Sequence, residues 1–573
     1  MSLIEDERGR WFTVGKEPTP FTRREFLRRS AITGAALGVG GNLLTACGGS
    51  SSTSGQTGTA SPPKLSRDPE TLIVATVSWS PDFDPASYFV NGPAIIDFSM
   101  YEGLIRTKLG TVDQFQPALA ESWSSNSDKS VWTFNLRKGV TFWDGTPVTA
   151  DAIKSAYIRT ITLGVGAGSV LGTWVTDPQK QIVVVDPGTL KFDLGAPSPP
   201  FQNAAAAIWG TGVISPEVPK QHSTGPKDQG HQWLQSHAAG TGAYMLESFD
   251  PGSQAVLVQN PHYWGGWKKG QFKKVIIQQI PDGSARREAL ESGAVDMITP
   301  SSSAHDVQAL KADPRFFTST AKAMYLEYII LGEYGPLQKP EARQAVNYLF
   351  PHDAYVKSVM LNTVAPAHGC FPDLLANHDP DSYVFPTDVD KAKQLFAQAG
   401  VAPGTEFTYE FYTGYGDQAG AVLQAQFEQA GMKLKLLEKA YSAFLADLTT
   451  PRPVNQRADM YFWSWYPDYD LAADYCWPIL NSAALPKDAA FNSGYYINST
   501  VTDIINKGYT EFDPTTLQSM MTQLQTIINQ TDPPWVPVDQ VLDNTCLRTD
   551  VKGYIANPLT GWVYNYYPLY RVS

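Results

Sequence analysis

The sequence predicts a mixed α/β body built as two or more lobes. The chain has 573 residues, 43% apolar and 17% charged, which is ordinary globular composition at a length that outgrows one hydrophobic core. From about residue 67, short β-branched runs alternate with helical ones. No long low-complexity stretch divides residues 68–573, so the lobes are not beads on a linker. A chain that crosses between lobes more than once has this pattern.

The elements justify that reading in order. Residues 71–77 (TLIVATV) are β-branched enough for a strand. Residues 131–137 (VWTFNLR) alternate apolar and polar, as a half-buried strand does, and 275–280 (VIIQQI) is a third strand. Phe142-Trp-Asp-Gly-Thr-Pro147 reads as a strand end and a Gly/Pro turn, after which Thr149 is placed to cap a helix. Helices are expected over 285–292, 341–349, 388–399 and 516–530. The third follows Thr387, read as its N-cap, and ends at Gly400, read as the glycine just past its C-terminus. No tandem repeat of 20–50 residues is present.

The first 66 residues read as an address and a tether. Thr22-Arg23-Arg24-Glu25-Phe26-Leu27-Arg28 precedes a weakly apolar stretch, rich in Ala and Gly, over 30–46. A basic start, a short apolar run and small residues make an export signal, and the pair Arg23-Arg24 resembles a twin-arginine signal. Leu44-Thr45-Ala46-Cys47-Gly48 is similar to a bacterial lipobox, in which the cysteine thiol takes diacylglycerol and becomes the mature N-terminus. Two or more acyl chains hold a protein stably at a membrane. Residues 48–63 (GGSSSTSGQTGTASPP) are a Gly/Ser/Thr tether unable to bury enough apolar surface to fold.

Charge and cysteine content exclude several classes. The net charge is −12, with no Lys/Arg-rich block, which argues against nucleic acid and against docking on an anionic membrane. Past residue 47 no window approaches the roughly 18 apolar residues of a spanning helix. Cys370, Cys476 and Cys546 are too few and odd in number for a disulfide framework, and the sequence does not say whether two of them pair. His222, His231 and His237 lie at spacings that fit no tight metal-ligand pair, and a solvated loop is expected there. No Gly-x-Ser-x-Gly elbow or His-Glu-x-x-His motif supports an exported hydrolase, the main alternative class. A purely structural surface lipoprotein is a third class.

A series of motifs in fixed order resembles the peptide/nickel-type extracellular solute-binding family of ABC importers. They include Phe83-Asp-Pro-Ala86, Tyr101-Glu-Gly-Leu104, Ala118-Leu-Ala-Glu-Ser-Trp123 and the run from Trp132 to Asp151. Gly240-Thr-Gly-Ala-Tyr244, Asn260-Pro-His-Tyr-Trp264, Ala289-Leu-Glu-Ser-Gly293, Arg343-Gln-Ala-Val-Asn347, Trp465-Tyr-Pro-Asp468 and Val551-Lys-Gly-Tyr554 follow. Most read as structural turns and caps. Gly240-Thr-Gly-Ala-Tyr244 lacks the Gly-Lys-Ser/Thr of a phosphate-binding loop.

The resemblance implies an α/β two-lobed periplasmic-binding-protein-like clamp with an extra subdomain in the first lobe. Lobe I is expected over 68–336 with the subdomain at about 111–230, lobe II over 337–535, and a return to lobe I over 536–573. It implies a binding protein rather than an enzyme, with no cofactor, no metal and no catalytic residues. Its partners would be a peptide or other small ligand and the permease subunits with their ATPase. It would be monomeric and held to the extracytoplasmic face of the membrane through its lipid alone. In peptide-binding members a Trp-x-x-Asp pattern sets a carboxylate against the peptide ammonium, and here Trp465 and Asp468 match it, with Ser464 in place of the usual Gly. Fifteen residues lie between Pro85 and Tyr101, as in oligopeptide-binding members, which points to Phe89 and Asn91 as ligand contacts. The family's ligand-facing Tyr near the C-terminus is not matched by Pro537-Val-Asp-Gln540. Trp463, Trp465, Tyr466, Tyr469, Tyr475 and Trp477 suit sugar rings as well as peptides, so an oligosaccharide, a metal chelate or another solute stays open beside the peptide.

Overall fold

The computed structural model describes residues 2–5, 11–14, 68–77, 82–87, 95–164, 167–299, 303–486, 491–559, 561 and 563–572. Two compact units result. In Met1–Gly58 the strands Ser2–Glu5 and Trp11–Val14 pair antiparallel. The export residues Arg23 and Arg24 and the lipobox residue Cys47 lie outside the described residues. The second unit, Thr59–Ser573, holds the α/β body.

Three sheets organise that body. Thr71–Thr76, the first strand expected from its β-branched content, runs through the middle of a seven-stranded sheet. It pairs in parallel with Lys274–Gln279 on one side and Met297–Ile298 on the other. Cys546–Arg548, from near the C-terminus, completes the sheet between Met297–Ile298 and Phe316–Thr318. A smaller antiparallel sheet follows the order Ala120–Ser125, Val131–Leu136, Thr189–Asp193 and Ile182–Asp186. The expected alternation appears in Val131–Leu136, where Trp132, Phe134 and Leu136 are buried and Asn135 is exposed.

The third sheet has six strands. In order they are Val364–Ala365, Trp535–Leu542, Lys322–Leu331, Met460–Trp465, Glu406–Tyr412 and Lys433–Lys439. Its two faces enter different cores. Ile329, Phe462 and Val538 join the cluster of the helices Pro340–Leu349, Val389–Ala399 and Asp417–Gln429. Tyr328, Tyr461 and Trp535 join the larger cluster that includes Ala472–Leu480 and Pro514–Thr526. Period-2 side-chain geometry therefore lets one strand serve two cores.

Local chemistry sets the helix ends. Thr149 caps the helix Ala150–Leu163, its hydroxyl accepting from the Ala152 N–H at 3.2 Å. The cap of Val389–Ala399 is Asp388, not Thr387: the Asp388 carboxylate accepts from the Lys391 N–H, while the Thr387 hydroxyl donates to the Phe350 carbonyl. A carboxylate at the positive end of a helix gains from the dipole as well as from the hydrogen bond. Gly400 closes that helix in the left-handed region, at φ 82°. The helix expected over 516–530 is Pro514–Thr526, followed by a wider turn over Ile527–Thr531.

Gly240 and Gly242 have a packing role. A Cβ on Gly240 would lie 2.1 Å from the Met100 carbonyl oxygen, and one on Gly242 2.5 Å from the Met100 carbonyl carbon. The bare backbone of Gly242 instead donates to Met100 at 2.9 Å. Cys370, Cys476 and Cys546 are buried free thiols. Among the described residues no helix is long and apolar enough to cross a membrane.

Candidate functional site

The end of the strand Met460–Trp465, in the interior of the six-stranded sheet, carries a dense set of aromatic and acidic side chains. Alternation along this strand sends Met460 and Phe462 into the helix-covered core. Trp463 and Trp465 pack on the opposite face, both partly buried. Phe491 stacks on Trp463, with ring centroids 6.1 Å apart, and packs on Trp465 at 5.1 Å. Ser464, on the other face, shares a 2.7 Å hydrogen bond with the Tyr325 hydroxyl of the neighbouring strand.

Beyond the strand the chain turns through Tyr466 to Asp470, and residues from the first part of the chain meet it there. Tyr466 lies between Tyr325 at 5.3 Å and Trp209 at 6.1 Å. The Trp174 indole donates to the Tyr469 hydroxyl at 3.2 Å, and the Asn203 amide donates to the Asp470 carbonyl at 2.9 Å. Trp465 and Asp468 thus sit on a surface built jointly by the six-stranded sheet and by segments 174–209.

The charge state of that surface is unusual. Asp468 is partly buried, and its backbone N–H donates to the Asp474 carboxylate at 3.2 Å. Among the described residues neither carboxylate has a salt-bridge partner. Desolvation, reinforced by the Asp474 charge, pushes the Asp468 carboxyl well above the usual range. Desolvation raises Asp474 as well, against the opposing pull of the Asp468 N–H and of Tyr469. Each carboxyl therefore holds its proton to higher pH than a free carboxylate does. Asp470 is raised to about 6 by burial, although it accepts the Ala376 N–H at 2.7 Å. A positive group arriving here would favour the ionised carboxyls, for which no salt-bridge partner is present among the described residues.

Several expected contacts fall elsewhere. Phe89 and Asn91 lie outside the described residues. Of the six aromatics, Tyr475 belongs to the core, its hydroxyl donating to the Cys370 carbonyl at 3.1 Å, while Trp477 is exposed. Near the C-terminus, Gln540 is tied to the Ala323 carbonyl and to the Asp373 N–H, so it is engaged within the fold. The histidine stretch is not a solvated loop: it contains the helices Glu217–His222 and His231–Leu234. There His222 and His237 stack on opposite sides of Trp233 at 4.3 and 4.5 Å, and His231 bonds Asp84 at 2.9 Å. Among the described residues no group of three His, Cys, Asp or Glu is placed to hold a metal.

Sequence reasoning missed Asp474, Trp174, Trp209 and Phe491. Asp474 had a faint signal, an acidic residue in the first turn of the helix Ala472–Leu480. The two tryptophans had none, because they reach this surface from more than 250 residues away.

Comparison with known proteins agrees with this architecture. Residues 114–486 match the family model described as Bacterial extracellular solute-binding proteins, family 5 Middle. A probable D,D-dipeptide-binding periplasmic protein of Escherichia coli is 27% identical, over 86% of this chain and 93% of its own length. The ABC transporter-associated periplasmic binding protein DppA of Helicobacter pylori in complex with the peptide STSA superposes with a TM-score of 0.75 at 21% identity. That alignment covers 87% of this chain and 98% of that one. A Campylobacter jejuni protein in complex with Ni(L-His) gives a TM-score of 0.76 at 18% identity, over 88% of this chain and 100% of that one. The fold is therefore the two-lobed clamp of periplasmic binding proteins. The chain belongs to the bacterial extracellular solute-binding proteins of family 5, the peptide/nickel-type binding proteins of ABC importers, and it is a capture protein rather than an enzyme.

Proposed function

We propose that this protein captures peptides between its two lobes and delivers them to an ABC permease from the outer face of the cell membrane. The observation that carries the peptide reading is the Asp468–Asp474 pair beside Trp465, acidic and without a counter-cation among the described residues. A peptide α-ammonium supplies that cation. The resulting charge-assisted hydrogen bond, in a closed cleft, is roughly twice as strong as a neutral one. Trp465 lines the cleft, and Phe89 and Asn91 contact the extended peptide backbone in the manner of an added strand.

In this reading lobe I comprises 68–336 with its subdomain at about 111–230, the chain returns to it over 536–573, and lobe II comprises 337–535, with the crossing strands Lys322–Leu331 and Trp535–Leu542 sharing the six-stranded sheet of lobe II. The ligand must bind the closed state more tightly than the open one, or closure does not follow binding. Export proceeds through the Arg23-Arg24 signal, Cys47 is diacylated, and residues 48–67 tether a monomeric body. The D,D-dipeptide relative and the peptide complex support a peptide ligand. The Ni(L-His) complex shows that the same fold also serves a metal chelate.

Native mass spectrometry of protein purified without refolding, followed by release of the bound molecule, tests the substrate class. Peptides with free N-termini are expected. A saccharide or a metal chelate would overturn the peptide reading while keeping the transport one. For Asp468→Asn, titration calorimetry should then show peptide affinity reduced at least about tenfold, near 1.4 kcal/mol. A smaller loss would remove the ammonium clamp.

A further inference from the structure

A recess lies between the turn that carries Asp97 and the segment 206–212, lined among others by Asp97, Glu102, Arg106, Ala207 and Thr211. Asp97 is fully buried, and neither carboxylate oxygen has a hydrogen-bond partner. Such a group is costly, because an ion leaves water without compensation.

The neighbouring charges deepen the anomaly. Arg159 donates to Asp84 through two nitrogens, at 2.8 and 2.5 Å, and His231 meets the same carboxylate at 2.9 Å. Glu102 accepts from Thr241, Tyr263 and Trp264 and feels the charge of Arg106, whose buried Nε has no hydrogen-bond partner. Asp82 takes the Ser87 hydroxyl and the Asp84 N–H. Arg159 and His231 are engaged by Asp84, and Asp97 is influenced only by burial and by the negative charges of Asp82 and Asp84. The segment 206–212 also reaches toward the proposed ligand surface: Trp209, which does not itself line the recess, packs against Tyr466 next to Trp465.

We infer that Asp97 forms a second ligand subsite, one that receives a primary ammonium group such as the side-chain amine of a basic peptide. The inference rests on the peptide reading above and narrows it to ligands with a second positive charge. An ammonium brings three donors on a slender stem, which suits two free carboxylate oxygens in a small recess better than a planar guanidinium does. A metal ion would require further ligands, and no such group exists among the described residues.

The test compares tetrapeptides that differ only by lysine or norleucine, scanned through each position and titrated by calorimetry. At one position lysine should bind about tenfold more tightly to the wild type, the effect of one charge-assisted hydrogen bond. Asp97→Asn should erase that preference and leave norleucine peptides unaffected. Because it replaces an unpartnered buried carboxyl by an amide of the same size, the variant should also melt no lower than the wild type when ligand-free. Ala207→Val, which narrows the recess without touching charge, should weaken lysine peptides alone. No lysine preference in the wild type, or one that survives Asp97→Asn, would overturn the inference while leaving peptide binding intact. If no tetrapeptide binds, the peptide reading itself falls, and cadaverine probes the recess directly. A thermal shift lost in Asp97→Asn would sustain the subsite, whereas equal shifts or none would dismiss it.

Discussion

Asp84 and Asp468 are both carboxylates held in largely apolar surroundings, yet they end in opposite charge states. Burial works to raise Asp84, but two hydrogen bonds from Arg159 and one from His231 outweigh it and hold the group at about 2. Asp468 undergoes the same desolvation with only another acid, Asp474, beside it, and it rises. The first arrangement is complete within the chain and serves the scaffold: it ties the segment at Phe83 to the helix Ala150–Leu163. The second is complete only when something positive arrives. Burial alone does not distinguish structure from function here; the presence or absence of an internal counter-charge does.

The strongest way to break the comparison is to remove a counter-charge where the protein supplies one. Arg159→Ala leaves buried Asp84 with His231 as its only cationic partner, and breaking a buried pair costs up to about 3–5 kcal/mol. Urea unfolding of the ligand-free protein should show that loss. Asp468→Ala, assayed identically, should show little loss or a gain, since it relieves an acid–acid contact. Similar destabilisation by both substitutions would show that Asp468 is scaffold after all.

The next effect is on binding. An arriving ammonium favours the ionised pair, so capture at low pH must displace a proton. Affinity for an amine-bearing ligand should therefore climb as pH rises from roughly 4, the ordinary carboxylate value, through the value of about 7 that Asp474 reaches, and level off only once the more strongly raised Asp468 is also ionised. Asp474→Asn leaves Asp468 easier to ionise. The climb should shift to lower pH, and affinity at pH 8 should fall by up to about tenfold with the lost charge. An unchanged profile would mean that Asp474 does not act on the ligand through Asp468.

How much of this contrast was legible beforehand follows from the range of the interactions. Val131–Leu136 was readable because period-2 burial is written in six consecutive residues. The cap at Asp388 was missed by one position, since Thr387 and Asp388 are both good caps and the dipole decides between them. Trp465 and Asp468 stood out through a four-residue pattern. That Asp468 would face Asp474 depends on how the intervening turn folds, and the Trp174 contact spans 295 residues. The counter-charge accounting at Asp97 is likewise a property of the assembled molecule, because Arg159 and His231 meet Asp84 only after folding.

A smaller effect concerns ligand-free stability. Carboxyls raised by folding, such as Asp468 and Asp474, bind protons more tightly folded than unfolded. Their contribution is most favourable below the unfolded value of roughly 4 and is lost as pH rises toward 7. The melting temperature of the apo protein should fall over that interval. Asp468→Asn/Asp474→Asn should flatten the fall, whereas a profile identical to the wild type would assign the slope to other groups.

The smallest effect isolates the histidine that helps complete the scaffold carboxylate. Asp84 raises His231 above its ordinary value, chiefly by their hydrogen bond and against partial desolvation. A base raised by folding contributes fully below its unfolded value, roughly 6.5, and loses that contribution as pH passes through the folded value. His231→Gln should therefore cost about 1 kcal/mol at pH 6, the scale of one partly exposed hydrogen bond, and less at pH 8.5. Arg159 keeps Asp84 paired in either case, so the variant should fold and retain ligand affinity. A cost that stays constant across this range would mean that His231 acts by packing alone, leaving Arg159 as the sole counter-charge of Asp84.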